Sequence, residues 1–176
     1  LAEFLLVERF KGPRIVLREI LRPIPYLLSA AYLRETFLYN RSVLHVLPSP
    51  QTPEVQCLAL LAILNSKLAS FVIRLNGRKS QRRVFPKIVN ADLRDFPLPC
   101  NFSQHAQPLF DLTQKMCSLV KAASEDPQIL LAGLAGQPVS GTPGVIDLQK
   151  EIDEAVYATY GLEPRHISGI EAIAGI

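Results

Sequence analysis

The sequence concentrates its positive charge in one basic segment, residues 74–87. Six Arg and Lys residues fall within these fourteen positions and no acidic residue does, although the whole chain has a formal charge of only +3. The rest of the chain is therefore net acidic. The basic and polar residues of the segment are Arg74, Asn76, Arg78, Lys79, Ser80, Gln81, Arg82, Arg83 and Lys87.

This composition suits contact with duplex DNA. Arg and Lys neutralise phosphates and release condensed counterions, and Arg can pair with guanine, or Asn and Gln with adenine, through two hydrogen bonds. We predict that Arg82, Arg83 and Lys87 lie chiefly at phosphates. Arg78 and Gln81 are predicted at base edges, because they flank the part of the segment farthest from the ordered elements on either side.

Arginines elsewhere could extend this positive surface, and Arg14, Arg18 and Arg41 are the weaker candidates. A second interpretation of the segment is a solvated basic loop at the C-terminal end of a helix, where the helix dipole favours cations. Composition alone leaves both interpretations open.

The sequence contains no motif that predicts catalysis or metal binding. It has neither a G-x-S-x-G turn nor a G-x-x-x-x-G-K-[ST] phosphate loop, and no C-x-x-C or H-x-x-x-H pair of the kind that binds zinc. The three histidines, His45, His105 and His166, are scattered and are interpreted as surface or packing residues. We therefore predict no catalytic residue, no metal site and no cofactor in this chain.

The acidic residues are interpreted as structural. Asp92 and Asp95 lie on either side of Arg94, which favours a turn or a salt bridge. The acidic residues of the last long helix are predicted on a solvated face because of their helical spacing around Lys150. They are Asp147, Glu151, Asp153 and Glu154.

Cysteine usage and hydropathy bear on the compartment. Cys57, Cys100 and Cys117 are odd in number and widely spaced, so we expect no disulfide framework and predict a reducing, cytoplasmic location. Polar residues after position 64 interrupt the most apolar stretch, which is shorter than the roughly 20 residues of a bilayer span. The chain begins with Leu1 without a signal-peptide pattern, and we interpret it as a segment of a longer protein without a membrane partner.

Local patterns predict strands first and helices later. Alternation and β-branched residues predict strands at residues 13–20, 28–33, 42–47 and 84–89. Residues 54–75 are apolar nearly all round and predict one long core helix. Residues 90–98 are predicted to form a turn that leads into an extended piece.

The C-terminal part is predicted to be helical. Helices are expected at residues 104–123, 147–160 and 162–176, with Gly161 as a C-cap, and a Gly/Pro-rich loop at residues 126–144. Because helices and strands do not alternate strictly, we predict an α+β fold, a small mixed β-sheet packed on a long apolar helix with a helical C-terminal tail. A single domain is expected over residues 1–176, with its α+β core at 1–100 and its helical portion at 101–176.

Five short motifs follow one another along the chain. They are P-R-I-V-L-R-E-I (residues 13–20), L-L-A-I-L-N-S-K-L (60–68), F-P-K-I (85–88), D-L-R-D-F-P-L-P (92–99) and I-D-E-A-V-Y-A-T-Y-G-L (152–162). In order and spacing they resemble the TaqI-like C-terminal specificity domain of adenine-N6 DNA methyltransferases and fused restriction–modification enzymes. Asn65 and Ser66, in the most telling motif, are expected to satisfy backbone groups or a neighbouring strand.

The resemblance implies that this chain selects a DNA target and is not itself an enzyme. In the family the catalytic domain lies N-terminal, carries an Asn-Pro-Pro-Tyr-type motif and binds S-adenosylmethionine. Neither that motif nor a cofactor-binding glycine motif occurs here. The expected partners are double-stranded DNA and the methyltransferase domain of the same polypeptide, with or without endonuclease activity. The alternative is a packing or scaffold domain with no nucleic-acid role.

Overall fold

The computed structural model describes residues 10–125 and 143–174. Within them, a small sheet is followed by helices, and the α+β class predicted from the sequence is confirmed. The strands are β1 (Arg14–Arg18), β2 (Ala30–Leu33) and β3 (Val43–Val46). The helices are α1 (Glu54–Leu64), α2 (Lys67–Asn76), α3 (Asn90–Arg94), α4 (Ala106–Glu125), α5 (Pro143–Thr159) and α6 (Pro164–Ala174).

The sheet has β1 at its centre, in the order β2–β1–β3. Ile15 pairs with Tyr32 on one side and with Val46 on the other, and both ladders are antiparallel. The described sheet is thus antiparallel rather than mixed, because the short connections between its strands hold no helical crossover of the kind that parallel neighbours need. Ile15 and Leu17 are buried and share one face, since successive side chains of a strand point to opposite faces.

The single long helix expected from the sequence is instead two helices, α1 and α2, bent by 65°, so that prediction was wrong. The Asn65 side chain accepts a hydrogen bond from Ala30 N at 2.9 Å and donates one to Ala30 O at 3.1 Å. Ser66 Oγ accepts from Ala69 N at 3.2 Å and so caps α2. Such side chains compete with the helix backbone for hydrogen bonds. The structural role expected for Asn65 and Ser66 is confirmed.

The two helices separate two hydrophobic cores, which explains why the sequence around them is apolar on nearly every side. The core toward the sheet contains Ile15, Leu17, Leu58, Leu61, Leu64, Ile73 and Ile88. The core toward the C-terminal helices contains Ala59, Ile63, Leu68, Leu109, Ile152, Val156 and Ile170. Among the described residues no single helix is long and apolar enough to cross a membrane, and only α1 and α2 together, as a bent pair, meet that test.

The C-terminal helices lie close to the positions that the sequence predicted. α4 contacts α1 and α5, and α6 contacts α2. Gly161, the expected C-cap, has a φ of +62°, in the left-handed region that glycine adopts without strain. Of the predicted Gly/Pro-rich loop, residues 126–142 lie outside the described residues, and Pro143 and Gly144 already belong to α5.

Two predictions that follow α2 are wrong. Residues 84–89 form no strand but contribute only an isolated bridge partner, Lys87, opposite Ile20 and Lys79. Pro86 has no N–H to donate to a ladder. Residues 90–94 form the short helix α3 rather than a turn, because Asp92 Oδ2 accepts the Val89 N–H at 2.9 Å at the start of the helix.

Asp153 is buried rather than on the solvated face expected from its helical spacing. Its Oδ1 accepts from Lys67 N at 2.9 Å and its Oδ2 accepts from Tyr26 Oη at 2.8 Å. Lys67 Nζ in turn pairs with Glu171 at 2.6 Å, and Tyr157 Oη donates to the same carboxylate at 2.8 Å. These contacts bind α5 and α6 to the first turn of α2, because a carboxylate stabilises the exposed N–H groups there.

Val156 tests the packing of α5. Val156→Asp introduces an unpaired carboxylate among core residues of α1 and α4, and we expect a loss of at least about 3 kcal/mol in the free energy of unfolding, measured in urea. Ala158→Asp, at an exposed position in the last turn of the same helix, should cost only about 1 kcal/mol, from lower helix propensity and the helix dipole. Equal values for the two variants would show that α5 does not depend on this packing.

The pH dependence of the unfolding free energy tests whether the Asp153 carboxylate is buried. Burial raises the pKa of Asp153 to about 6, above its usual value of about 3.9 in an unfolded chain. The folded state therefore holds the proton more tightly, and the stabilisation from Asp153 is full below about pH 4 and is lost as pH rises through 6. We expect the unfolding free energy of the wild type to fall relative to Asp153→Asn between about pH 4 and 6 and then level off. A pH-independent difference would contradict the burial.

Candidate nucleic-acid interface

The basic loop, defined as residues 77–87, connects α2 to α3. Where α2 ends, the Gly77 N–H donates to Ile73 O at 2.8 Å. A Cβ added at Gly77 would lie 2.5 Å from that oxygen and 2.9 Å from the Ser80 Cβ. Glycine is therefore required for the chain to leave the helix and turn this tightly into the loop.

The far end of the loop is fixed beside the sheet. Leu21 N donates to Pro86 O at 3.0 Å, and Ile88 N donates to Glu19 O at 3.0 Å. The Ile88 side chain is fully buried. The loop therefore closes on a point that both backbone hydrogen bonds and the core hold in place.

Asp92 holds the near end of the loop. Its carboxylate is buried and accepts from Arg78 N at 3.1 Å and from Arg78 Nη1 at 3.3 Å. Arg78 Nη2 donates to Asp95 Oδ2 at 2.7 Å. The salt-bridge role predicted for Asp92 and Asp95 is confirmed, with Arg78 rather than Arg94 as the partner. The hydrogen bonds that Arg78 donates to Asp95 and Asp92 raise the pKa of its guanidinium.

Three further residues of the predicted interface also have partners within the fold. Gln81 Nε2 donates to Arg74 O near the end of α2 at 3.1 Å, and Ser80 Oγ donates to Gly77 O at 2.9 Å. Lys87 Nζ pairs with Glu19 at 3.1 Å. These side chains brace the loop, which gives Gln81 and Lys87 structural contacts besides the DNA contacts expected of them.

The remaining cations of the basic segment project into solvent. Arg82 and Arg83 are exposed at the tip of the loop and Lys79 near its start, while Arg74 and Asn76 are exposed in the last turn of α2. Within the part of the chain that the structure describes, no carboxylate pairs with Arg82 or Arg83. Their charge is therefore uncompensated locally, and it is available to an anion.

The weaker candidates lie apart from one another. Arg14 is fully buried, and its guanidinium donates to Gly12 O at 3.1 Å, to Lys11 O and to Tyr39 Oη at 3.3 Å. Arg14 thus ties the start of β1 to the loop after β2, away from any outer surface. Arg18 is exposed at the other end of β1.

Arg41 lies beside an open cleft between β3 and α3 with a volume of about 540 Å³. The polar residues that line it with Arg41 are His45, Asn90 and Arg94. Asp92 of α3 and Asp95 directly after it pair with Arg78 of the basic loop, whereas Asn90 and Arg94 of the same helix line the cleft. The cleft and the basic loop therefore lie on either side of α3. The sequence indicated Arg41 but gave no signal that Arg94 would join it.

Val84 and Phe85 were not among the residues predicted to contact DNA. Both side chains are exposed, 67% for Val84 and 65% for Phe85. Phe85 has a φ of +53°, a left-handed conformation that costs a non-glycine residue on the order of 1–2 kcal/mol. The signal that could have shown them is an apolar pair directly after Arg-Arg in an otherwise polar segment.

A small antiparallel sheet backed by helices presents an anchored basic loop, and no group of His, Cys, Asp and Glu in the described residues could hold a metal ion. The fold thus defines a small α+β domain that carries locally uncompensated positive charge on an exposed loop. The chain belongs to the TaqI-like C-terminal specificity domain family, whose model matches residues 5–98, more than half of its length. A specificity domain is non-catalytic in itself, and this membership supports a DNA-recognition role in a restriction–modification enzyme. Comparison with curated proteins and with solved structures finds no match.

Asp92 tests how the loop is held. Asp92→Ala leaves the N–H groups of Arg78 and Val89 without their acceptor, and we expect a loss of about 1–3 kcal/mol in unfolding free energy together with faster trypsin cleavage after Arg82 and Arg83. Asp95→Ala removes an exposed, solvent-screened ion pair and should leave the unfolding free energy close to that of the wild type. The anchoring role of Asp92 would be wrong if both variants unfolded and were cleaved alike.

Proposed function

We propose that this chain is the target-recognition domain of an adenine-N6 DNA methyltransferase, or of a methyltransferase fused to an endonuclease, in a bacterial restriction–modification system of the cytoplasm. The basic loop is its principal contact with duplex DNA. The observation that carries the proposal is the pair Arg82 and Arg83, which have no carboxylate partner among the described residues and project from an anchored loop in a chain of the specificity-domain family.

The separate roles proposed for this chain and for the methyltransferase domain follow from the chemistry of adenine methylation. The amino group to be methylated becomes accessible when the adenine rotates out of the helix, but the bases around it must then be recognised by a separate surface. This chain supplies that surface. The methyltransferase domain of the same polypeptide would supply S-adenosylmethionine and the reacting groups.

Within the loop, the contacts of each cation suggest its role. Arg82 and Arg83 are proposed to neutralise phosphates, and Lys79 and Arg74, which are also exposed, would extend the contact along the backbone of the duplex. Arg78 already donates to two carboxylates, so its first role is to position the loop. Gln81 donates to one backbone carbonyl rather than to two carboxylates, and it becomes the stronger candidate for a base edge.

The proposed DNA-contacting surface would extend beyond α3. Arg41 and Arg94 line the open cleft on the far side of that helix, and no acidic side chain of the described residues lines it. Together with the basic loop they would form a positive surface on both sides of α3. Arg14 is left out of this interface because its guanidinium is buried and bonded internally.

The proposal predicts how DNA binding depends on salt. Each phosphate contact contributes roughly 1 to the slope of log affinity against log salt concentration. Arg82→Ala/Arg83→Ala should therefore reduce the slope by roughly 2 and weaken binding to cognate and random duplexes alike. The measurement is fluorescence anisotropy across a salt series, with the intact protein that carries this chain.

A charge-matched control separates this contact from general electrostatics. Lys150→Ala/Arg165→Ala removes two exposed cations from α5 and α6, and the affinity and slope should stay at the wild-type values. If the Arg82 and Arg83 variant also kept both quantities, the basic loop would be only a solvated helix end. The packing or scaffold function would then be favoured.

A further inference from the structure

The tip of the basic loop combines charge with an exposed apolar surface. Arg82 and Arg83 are followed directly by Val84 and Phe85, and all four side chains are exposed. No acidic residue occurs between positions 74 and 87. A molecule that neutralises the two arginines would therefore lie close to the exposed Phe85 ring, which follows them within three positions.

The backbone holds Phe85 in place. Its φ of +53° lies in the left-handed region, which a residue other than glycine keeps only when its surroundings dictate the conformation. Those surroundings are the hydrogen bond from Leu21 N to Pro86 O and the buried Ile88 a short distance further along the chain. The backbone at Phe85 is therefore held beside the anchored end of the loop, while its ring is exposed.

We propose that Phe85 is an apolar wedge that stacks on a nucleobase or inserts at a base step of the bound duplex, while Arg82 and Arg83 neutralise the flanking phosphates. The inference rests on the proposed function, because it needs DNA at the basic loop. Aromatic and aliphatic side chains enter DNA in this way in proteins that unstack or kink a base step. Stacking tolerates any base, since every base has a π-face.

The surrounding charge favours DNA bases over an apolar protein partner. The buried centre of a protein–protein interface is depleted of charged residues. Here the apolar pair directly follows Arg82 and Arg83, so burying it against protein would also desolvate both guanidinium groups. In DNA, by contrast, the phosphates lie close to the stacked bases, and one loop can reach both.

A glycine variant tests the wedge without disturbing the loop. Because φ is positive, Phe85→Gly removes the ring and also relieves backbone strain, so the melting temperature should not fall. We expect about 5- to 100-fold weaker binding to a random-sequence duplex, with an unchanged salt slope because no phosphate contact is lost. Phe37→Ala, which removes a comparably exposed ring (61%) from the connection between β2 and β3, should bind as the wild type.

Heparin is the comparison ligand, because it is a polyanion without bases. Phe85→Gly should bind heparin as tightly as the wild type does. The chain contains no tryptophan, so the fluorescence that Phe85→Trp adds to that of the wild-type protein reports on this position, and it should be quenched by duplex DNA and not by heparin. Val84→Trp, at the neighbouring exposed position, should be quenched less.

Each outcome decides between separate possibilities. Normal, salt-dependent DNA binding by Phe85→Gly would overturn the wedge and leave the proposed function standing. An equal loss of DNA and heparin affinity would also overturn it, because Phe85 would then shape the loop instead of contacting bases. Failure of the wild-type protein to bind any duplex would reject the proposed function, and the wedge with it. If duplex DNA leaves the indole of the Phe85→Trp variant unquenched, the apolar pair does not contact bases and the wedge is wrong.

Discussion

The break between α1 and α2 is the feature on which the remaining structure depends. Three consecutive residues at the break make contacts with three different elements of the fold. Asn65 bonds to the backbone of Ala30 in β2, Ser66 caps α2, and the backbone of Lys67 donates to Asp153 in α5. One interruption of the helix thus joins the sheet, the helix pair and the C-terminal helices, and it directs α2 toward the basic loop.

The cations of the basic segment fall into two groups. Some pair with carboxylates and hold the loop in place, and others project from it into solvent. Arg78 and Lys87 are paired with acidic residues of α3 and of the segment after β1. Arg82 and Arg83 lie between these two anchors and have no such partner among the described residues. A loop with this much positive charge repels itself, and the carboxylates at its two ends offset that repulsion without neutralising the tip. The same arrangement gives the loop a fixed shape and a surface suited to an anion.

The described helices beyond residue 98, outside the part of the chain that the family model matches, are packed against those within it. Val156 and Ile152 fill the core beside α1, while the Asp153 carboxylate satisfies the start of α2 at the same junction. A buried carboxylate is costly unless it is hydrogen-bonded, and Asp153 receives two such bonds, from Lys67 and Tyr26. Residues of the 152–162 motif therefore pack and hydrogen-bond at the break between α1 and α2.

The sequence by itself determined the features that depend on neighbouring residues: the three short strands, the C-terminal helices with Gly161 between two of them, the concentration of charge in residues 74–87 and the motifs of the family. It missed the helix break at Asn65 and Ser66, because apolar residues resume directly after these polar ones and the backbone groups of Ala30 that Asn65 bonds lie in β2. Only the tertiary structure decided that Asp153 is buried and that Arg78 holds the loop, since their partners lie 86 and 14 positions away in sequence. Periodicity and propensity predict whether a segment is a helix or a strand and which of its faces is exposed. Whether a charged side chain is buried or paired depends on which distant group the fold brings within hydrogen-bond distance.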